Sequence, residues 1–337
     1  MPEKSYTEAL NEALHQEMDR DETVIVIGED VAGGAGTKGD DVEAIGGIFG
    51  VTAGLGKKYG RTRVVDTPIT ESAIVGTAAG AAMTGLRPVA ELMFVDFLGV
   101  CFDQIYNQAA KFRYMFGGKA TTPLVIRTAV GAGLSAAAQH SQTMFSTFTS
   151  VPGLKVVMPS NPYDAKGLLI QAIRDDDPVI FLEHITMYDD EGEVPDESYT
   201  IPFGEANITR EGKDVTIIGI GKTVIHANEA ADQLAKEKIS CNVIDLRTLS
   251  PLDEDTIIEL TEKTGKVVIV DESSPRCNIG TDITALIVKN SFKSLKAPVK
   301  IVSPPHTPVP FAPELEDAYM PNKEKIISAV IETISYR

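Results

Sequence analysis

Apolar runs of strand length alternate with stretches of helical period along nearly all of this chain, and that alternation limits its fold more than any other feature. Thr23–Gly28, Arg63–Val65, Pro88–Phe94, Pro123–Arg127, Leu154–Met158 and Pro178–Leu182 read as buried strands. Ahead of the first of them, Tyr6, Leu10, Ala13, Leu14 and Met18 recur at helical spacing behind a Ser5/Glu8 capping box, predicting a helix over about residues 6–19. Further helices are expected at Glu71–Gly85, Phe97–Phe112 and from Asn161-Pro162 to about Arg174. Strand, helix, strand in this order gives a mainly parallel sheet flanked by helices. A second such series runs from Asp214 to Lys289, and a final helix from about Asn322 to Ile334. The fold class is therefore α/β with two domains, which suits 337 residues. Boundaries are expected at 1–190 and 206–337, joined by an acidic linker, 191–205, that lacks an apolar period.

Charge and cysteine usage remove several classes of function. With 48 Asp and Glu against 31 Lys and Arg, the formal net charge is -17, which excludes nucleic acid and anionic membrane as partners and suits a basic protein. Cys101, Cys241 and Cys277 show no CxxC spacing and cannot all pair, so a reduced cytoplasmic setting is expected. The N-terminus has no secretory pattern, and no apolar stretch reaches the ~18 residues of a membrane span. The glycine-rich stretch from Gly28 to Gly60 matches neither GxGxxG nor a P-loop, so no dinucleotide or nucleotide fingerprint is present.

The stretch Asp66-Thr67-Pro68-Ile69-Thr70-Glu71 ends one strand and opens a helix, with Thr70 as the N-cap. Open α/β sheets bind ligands beyond the carboxyl ends of their strands, so Glu71 stands where a functional carboxylate would, although first-turn glutamates are common for dipole reasons alone. Gly76 and Gly80 share one face of that helix and allow close approach by a neighbour.

In order and spacing, Gly28–Val31, Asp66–Glu71, Gly85–Pro88, Ala138–Gln142, Pro152–Val156, Pro162–Gly167 and Pro304–Pro310 resemble the β subunits of the thiamine-diphosphate-dependent first component of 2-oxo acid dehydrogenase complexes. Glu91–Phe97, Cys101–Gln104 and Ala110–Gly118 most resemble the acetoin-cleaving branch, with pyruvate or branched-chain 2-oxo acid branches as the alternative. The resemblance implies an N-terminal pyrimidine-binding domain and a transketolase-like C-terminal domain. It makes Glu71 the carboxyl group bonded to the cofactor's pyrimidine N1′, shielded by Ile69, Ile74 and Val75. Phe97 becomes an aromatic packed on the pyrimidine, or else an ordinary core residue. His140 becomes the histidine that moves protons during carbonyl addition or acyl transfer, or else a hydrogen-bonded loop residue. Glu29 lies near the cofactor. Leu124, Ala172, Asp175 and Asp177 fall where relatives hold potassium through backbone carbonyls, the alternative being a charged helix end. No Gly-Asp-Gly motif is present to hold Mg2+ and the diphosphate, so an α subunit is expected to supply that half of the site. The implied assembly has two α and two β chains and works with a lipoyl-bearing acyltransferase core. A docking role without catalytic share is the competing reading.

Overall fold

The computed structural model describes residues 1–33 and 46–336. Two compact units make up the chain: Met1–Val130 with Thr147–Val157 and Asn161–Phe203, and Gly131–Ser146 with Met158–Ser160 and Gly204–Arg337. Each is α/β.

The first unit is built on parallel strands β1 (Val24–Gly28), β2 (Val64–Asp66), β3 (Arg87–Phe94), β4 (Val125–Val130), β5 (Lys155–Val157) and β6 (Val179–His184). They lie side by side in the order β5-β6-β4-β3-β1-β2. β4 and β6 are buried along their whole length, as a sheet covered on both faces requires. Helix α1 (Tyr6–Arg20) starts at the Ser5/Glu8 capping box and packs on α3 (Pro162–Arg174), whose N-cap Asn161 accepts from Asp164 N. Tyr6, Leu10 and Leu14 of α1 are fully buried.

Helix α2 (Glu71–Met83) buries Ile74, Val75, Ala78, Ala79 and Ala82. A Cβ on Gly76 would lie 3.2 Å from Gln104 Cγ, so that glycine already serves a contact within the chain, whereas Gly80 faces open space. The helix expected over 97–112 is broken. A 3-10 turn (Val95–Phe97), an α-helical stretch (Leu98–Asp103) and a π-helical stretch (Gln104–Ala109) replace it, and Cys101 is non-helical at φ -116°. Residues 191–203, expected as a linker, lie on the first unit. Glu191–Glu193 pairs antiparallel with Glu3–Ser5, and Val194 and Ile201 are buried.

In the second unit β7 (Asn207–Arg210), β8 (Val215–Gly219), β9 (Cys241–Asp245), β10 (Val267–Val270) and β11 (Lys300–Val302) lie in the order β11-β10-β8-β9-β7, with only β7 antiparallel. Helices α4 (Lys222–Lys236), α5 (Glu254–Thr264), α6 (Ile279–Ser291), α7 (Pro313–Tyr319) and α8 (Lys323–Ser335) complete it. One core joins Ile217, Val243 and Val268 of the sheet to Ala227 of α4 and Val330 of α8. The proline-rich 303–310 carries no helix or strand.

Candidate active site

Three neighbouring strands of the first unit, β3, β1 and β2, deliver Phe97, Glu29 and Glu71 beyond their carboxyl ends. Gly28 pairs with Asp66 at the last register position of β1 and β2. Thr67 N then donates to Gly28 O (2.9 Å) and Ala32 N to Asp66 Oδ1 (2.6 Å), which locks the two turns together. A Cβ on Gly28 would come within 3.0 Å of both Glu91 Cβ and Val31 Cγ1, so only glycine lets the chain turn toward Glu29 this close to β3.

Glu29 and Glu71 are each only 8% exposed. Burial pushes the Glu29 carboxyl above its ordinary range, and the charges of Glu71 and Asp30 push it the same way. Burial likewise raises the Cys101 thiol to about 12, with the Glu71 charge adding to it. Among the described residues no side-chain hydrogen bond or ion pair engages the Glu71 carboxylate; what favours its charge is its place in the first turn of α2. Thr70 occupies the N-cap position without a side-chain capping bond. Of the residues expected to shield Glu71, Ile74 and Val75 are buried, but Ile69 is 80% exposed and does not. Ile69 precedes the helix, where its side chain has no neighbouring turn to cover it. Phe97 is half-buried, edge-to-face with Phe94 at 6.0 Å, against Ala129 and Ile185.

Behind these residues lies a buried charge network that the motifs did not reveal. Arg127 on β4 makes two 2.7 Å bonds to Glu183 on β6 and one of 3.0 Å to Glu91 on β3. Tyr188 donates to Glu183 at 2.8 Å, and Phe49 stacks on its ring. Desolvation pushes the Glu91 carboxyl up against the opposing pull of Arg127. Glu91 Oε1 finds no donor among the described residues and borders a cavity of about 10 Å3, room for one water. The available signal was a charged residue in or beside each of three apolar strand runs: Glu91 within Pro88–Phe94, Arg127 at the end of Pro123–Arg127 and Glu183 just past Pro178–Leu182. Of the glycine-rich stretch, residues 34–45 lie outside the described residues.

His140 belongs to the second unit, on the loop after β4, and is half-buried. Gly131 N donates to Gln142 O (3.0 Å) and closes the loop. Beside it a cavity of about 460 Å3 is lined by Ser141, Gln142, Glu272, His306 and Tyr319, among others. Glu29 and Glu71 are thus close enough to feel each other's charge, Phe97 follows a neighbouring strand of the same unit, and His140 belongs to the other unit.

Residues 3–189 match the transketolase pyrimidine binding domain and residues 204–326 the transketolase C-terminal domain. The chain is 62% identical over 326 residues to the β subunit of acetoin:2,6-dichlorophenolindophenol oxidoreductase of Cupriavidus necator, covering 97% of this chain and 96% of that one. The chain belongs to this family of oxidoreductase β subunits. Another relative, the 2-oxoisovalerate dehydrogenase β subunit of Bacillus subtilis, is 45% identical over 98% of this chain and 99% of its own. In fold, the β subunit matches a split-gene transketolase described as an inactive β4 tetramer, at 22% identity and a TM-score of 0.78, over 98% of this chain and 99% of that one.

The four residues expected around a monovalent ion meet at one corner of the β subunit's first sheet. Lys155 Nζ donates to both carboxylate oxygens of Asp175 (2.6 and 2.7 Å), and Arg113 Nε to Asp177 (2.5 Å). Leu124 O accepts from Val179 N and Ala172 O from Asp175 N. Both carboxylates are therefore already compensated, and any cation here would rely on carbonyl oxygens with one lone pair left. No cluster of three or more His, Cys, Asp or Glu suited to a metal occurs among the described residues.

Proposed function

We propose that this chain is the β subunit of an acetoin dehydrogenase first component, sharing thiamine diphosphate with an α subunit. The relative at 62% identity is named for acetoin, and the observation that carries the site is Glu71, a buried carboxylate with no partner among the described residues. Such a group fits a ligand that brings its own N–H or cationic edge, as the aminopyrimidine of thiamine diphosphate does. When bound, that cofactor supplies the carbon nucleophile that cleaves the bond beside a carbonyl.

Each residue of the chain has a task in this reading. Glu71 holds a proton at the pyrimidine N1′. Glu29, its carboxyl raised by burial, keeps a second acidic group beside it, and Phe97 offers a ring face to the pyrimidine. His140 takes and returns protons at the substrate carbonyl and its sulfur acceptor. The α subunit holds Mg2+ and the diphosphate, in an assembly of two α and two β chains. Acetyl groups pass to the lipoyl arm of an acyltransferase core, whose basic segment the C-terminal domain receives. Along the sequence the pyrimidine-binding domain is placed at 1–190 and the C-terminal one at 206–337, although 191–203 pack with the first unit and 131–146 with the second, and potassium is placed at Leu124, Ala172, Asp175 and Asp177 through carbonyls. The cytoplasm is the compartment proposed, on the spacing of Cys101, Cys241 and Cys277.

Co-expression with candidate α chains, followed by a substrate panel with thiamine diphosphate and Mg2+, tests this. Acetaldehyde should be released from acetoin. CO2 from pyruvate or a branched-chain 2-oxo acid at a higher kcat/KM would transfer the chain to the branch of its 45% relative. Wild-type turnover by a well-assembled Glu71→Ala enzyme would reduce the chain to a docking subunit.

A further inference from the structure

The loop that carries His140 does not hold its own shape. From Gly131 to Met144 it has no helix or strand, and its backbone takes positive φ at four positions: Gly131 and Gly133, which tolerate it, and Ser135 (51°) and Ala137 (61°), which do not. Strained non-glycine residues persist only where surrounding groups over-determine the conformation. Here those groups are two carboxylates of the same unit.

Glu316, on α7, takes Gly133 N on Oε1 and Ser135 N on Oε2, each at 2.8 Å, with Ser135 Oγ at 3.4 Å. Glu272, after β10, takes Ala132 N at 2.9 Å. Glu316 is 2% exposed, and no Lys or Arg pairs with it among the described residues. A buried carboxylate compensated by two amides and a hydroxyl, with no cation, is a costly way to fill space, since an apolar side chain would do so without desolvating a charge. It is an effective way to fix a backbone, because both oxygens are spent on amides two residues apart and a shift of the loop loses two charge-assisted bonds together. Five residues beyond the second of those amides stands His140.

We infer that Glu316, seconded by Glu272, is a positioning residue for His140, setting the loop in the one conformation from which the imidazole works. This rests on the proton-transfer role of His140 proposed above. Neither glutamate touches the reacting atoms; both act through the loop.

The test uses the assembled α–β enzyme with thiamine diphosphate and Mg2+. Variants E316A, E316Q, H140N and the double variant E316A/H140N are compared for kcat and KM on acetoin and for hydrogen exchange in the peptide spanning 131–146. E316A is expected to speed exchange at Gly133 and Ser135 by about 10-fold or more, the equivalent of a lost charged hydrogen bond. It should lower kcat by a similar factor while KM stays within about 2-fold, and E316Q, which retains one acceptor oxygen and the residue's volume, should fall between it and wild type. In the H140N background E316A should cost no further turnover, because the two act through one group. Unchanged exchange in E316A sinks the clamp, and independent losses in the double variant sink its action through His140. Full turnover in H140N would instead remove the role assigned to His140, an outcome that the exchange data separate from failure of the clamp. Should E316A not assemble, E316Q carries the same comparison.

Discussion

A carboxylate 8% exposed at the start of α2, with no cation beside it among the described residues, is favoured by the helix dipole by only about 0.3–1 kcal/mol, less than the usual cost of burying it. Glu71 is thus retained at some expense to stability. Glu71→Gln is expected to raise the thermal midpoint of the cofactor-free protein, by the equivalent of about 1 kcal/mol, while lowering turnover of the assembled enzyme by ~100-fold or more. A variant that loses activity and stability together would show Glu71 to be an ordinary structural residue. Glu29 beside it makes a prediction in pH. Its folded pKa is raised, so the folded state binds the extra proton, and the stability it contributes is present below the unfolded value of about 4.3 and lost as pH rises through the folded value. Glu29→Gln removes that loss. Its melting temperature should therefore gain on wild type as pH rises from about 4 to 7, and a constant difference across that range would contradict the assignment.

At the level of elements, what could be read in advance is what is local. The Ser5/Glu8 box and the Asn161 cap formed as written because their partners lie three residues away. Thr70 was readable as a helix boundary but not as a capping side chain, and the break at Cys101 was not readable at all. There the apolar pattern 97–112 is helical, while the actual backbone is set by Asp103 accepting from Asn107 (2.7 Å) and Gln108 (3.3 Å), and by the stacking of Phe102 on Tyr106. The Arg127 network was hidden for a different reason, since it depends on the sheet order β6-β4-β3, which no single segment encodes. That order makes one guanidinium serve two strands' carboxylates. Arg127→Met should cost about 3–5 kcal/mol in urea unfolding, because Glu91 and Glu183 are left buried without a cation. Glu91→Gln should cost less than about 1 kcal/mol, because burial already pushes that carboxyl toward its neutral form. Equal penalties for the two would mean that packing, rather than charge, holds the three strands together.

For the molecule as a whole, a formal charge of -17 on 337 residues is a liability for compactness and an asset for meeting a cationic partner. The half-site reading needs one partner to bring Mg2+ and the diphosphate-binding motif, and a second, basic one to bring the lipoyl arm. Both are proposed from what the chain lacks or carries in excess, an argument that needs no structure; the residues that would touch those partners cannot be proposed that way, because a surface patch has no sequence period. Charge attraction between a strongly acidic chain and a basic segment acts mainly on encounter. Raising salt from ~0.1 M to ~1 M shortens the Debye length from ~10 Å to ~3 Å and removes most of that steering. The association rate of the assembled α–β enzyme with the acyltransferase core, followed by surface plasmon resonance, should therefore fall about 10-fold or more over that range, with a smaller change in the dissociation rate. If association is unmoved by salt, the docking contact is apolar. The acidic excess then serves solubility alone, and the exposed Phe292 and Phe311 of the second unit become the residues to substitute next.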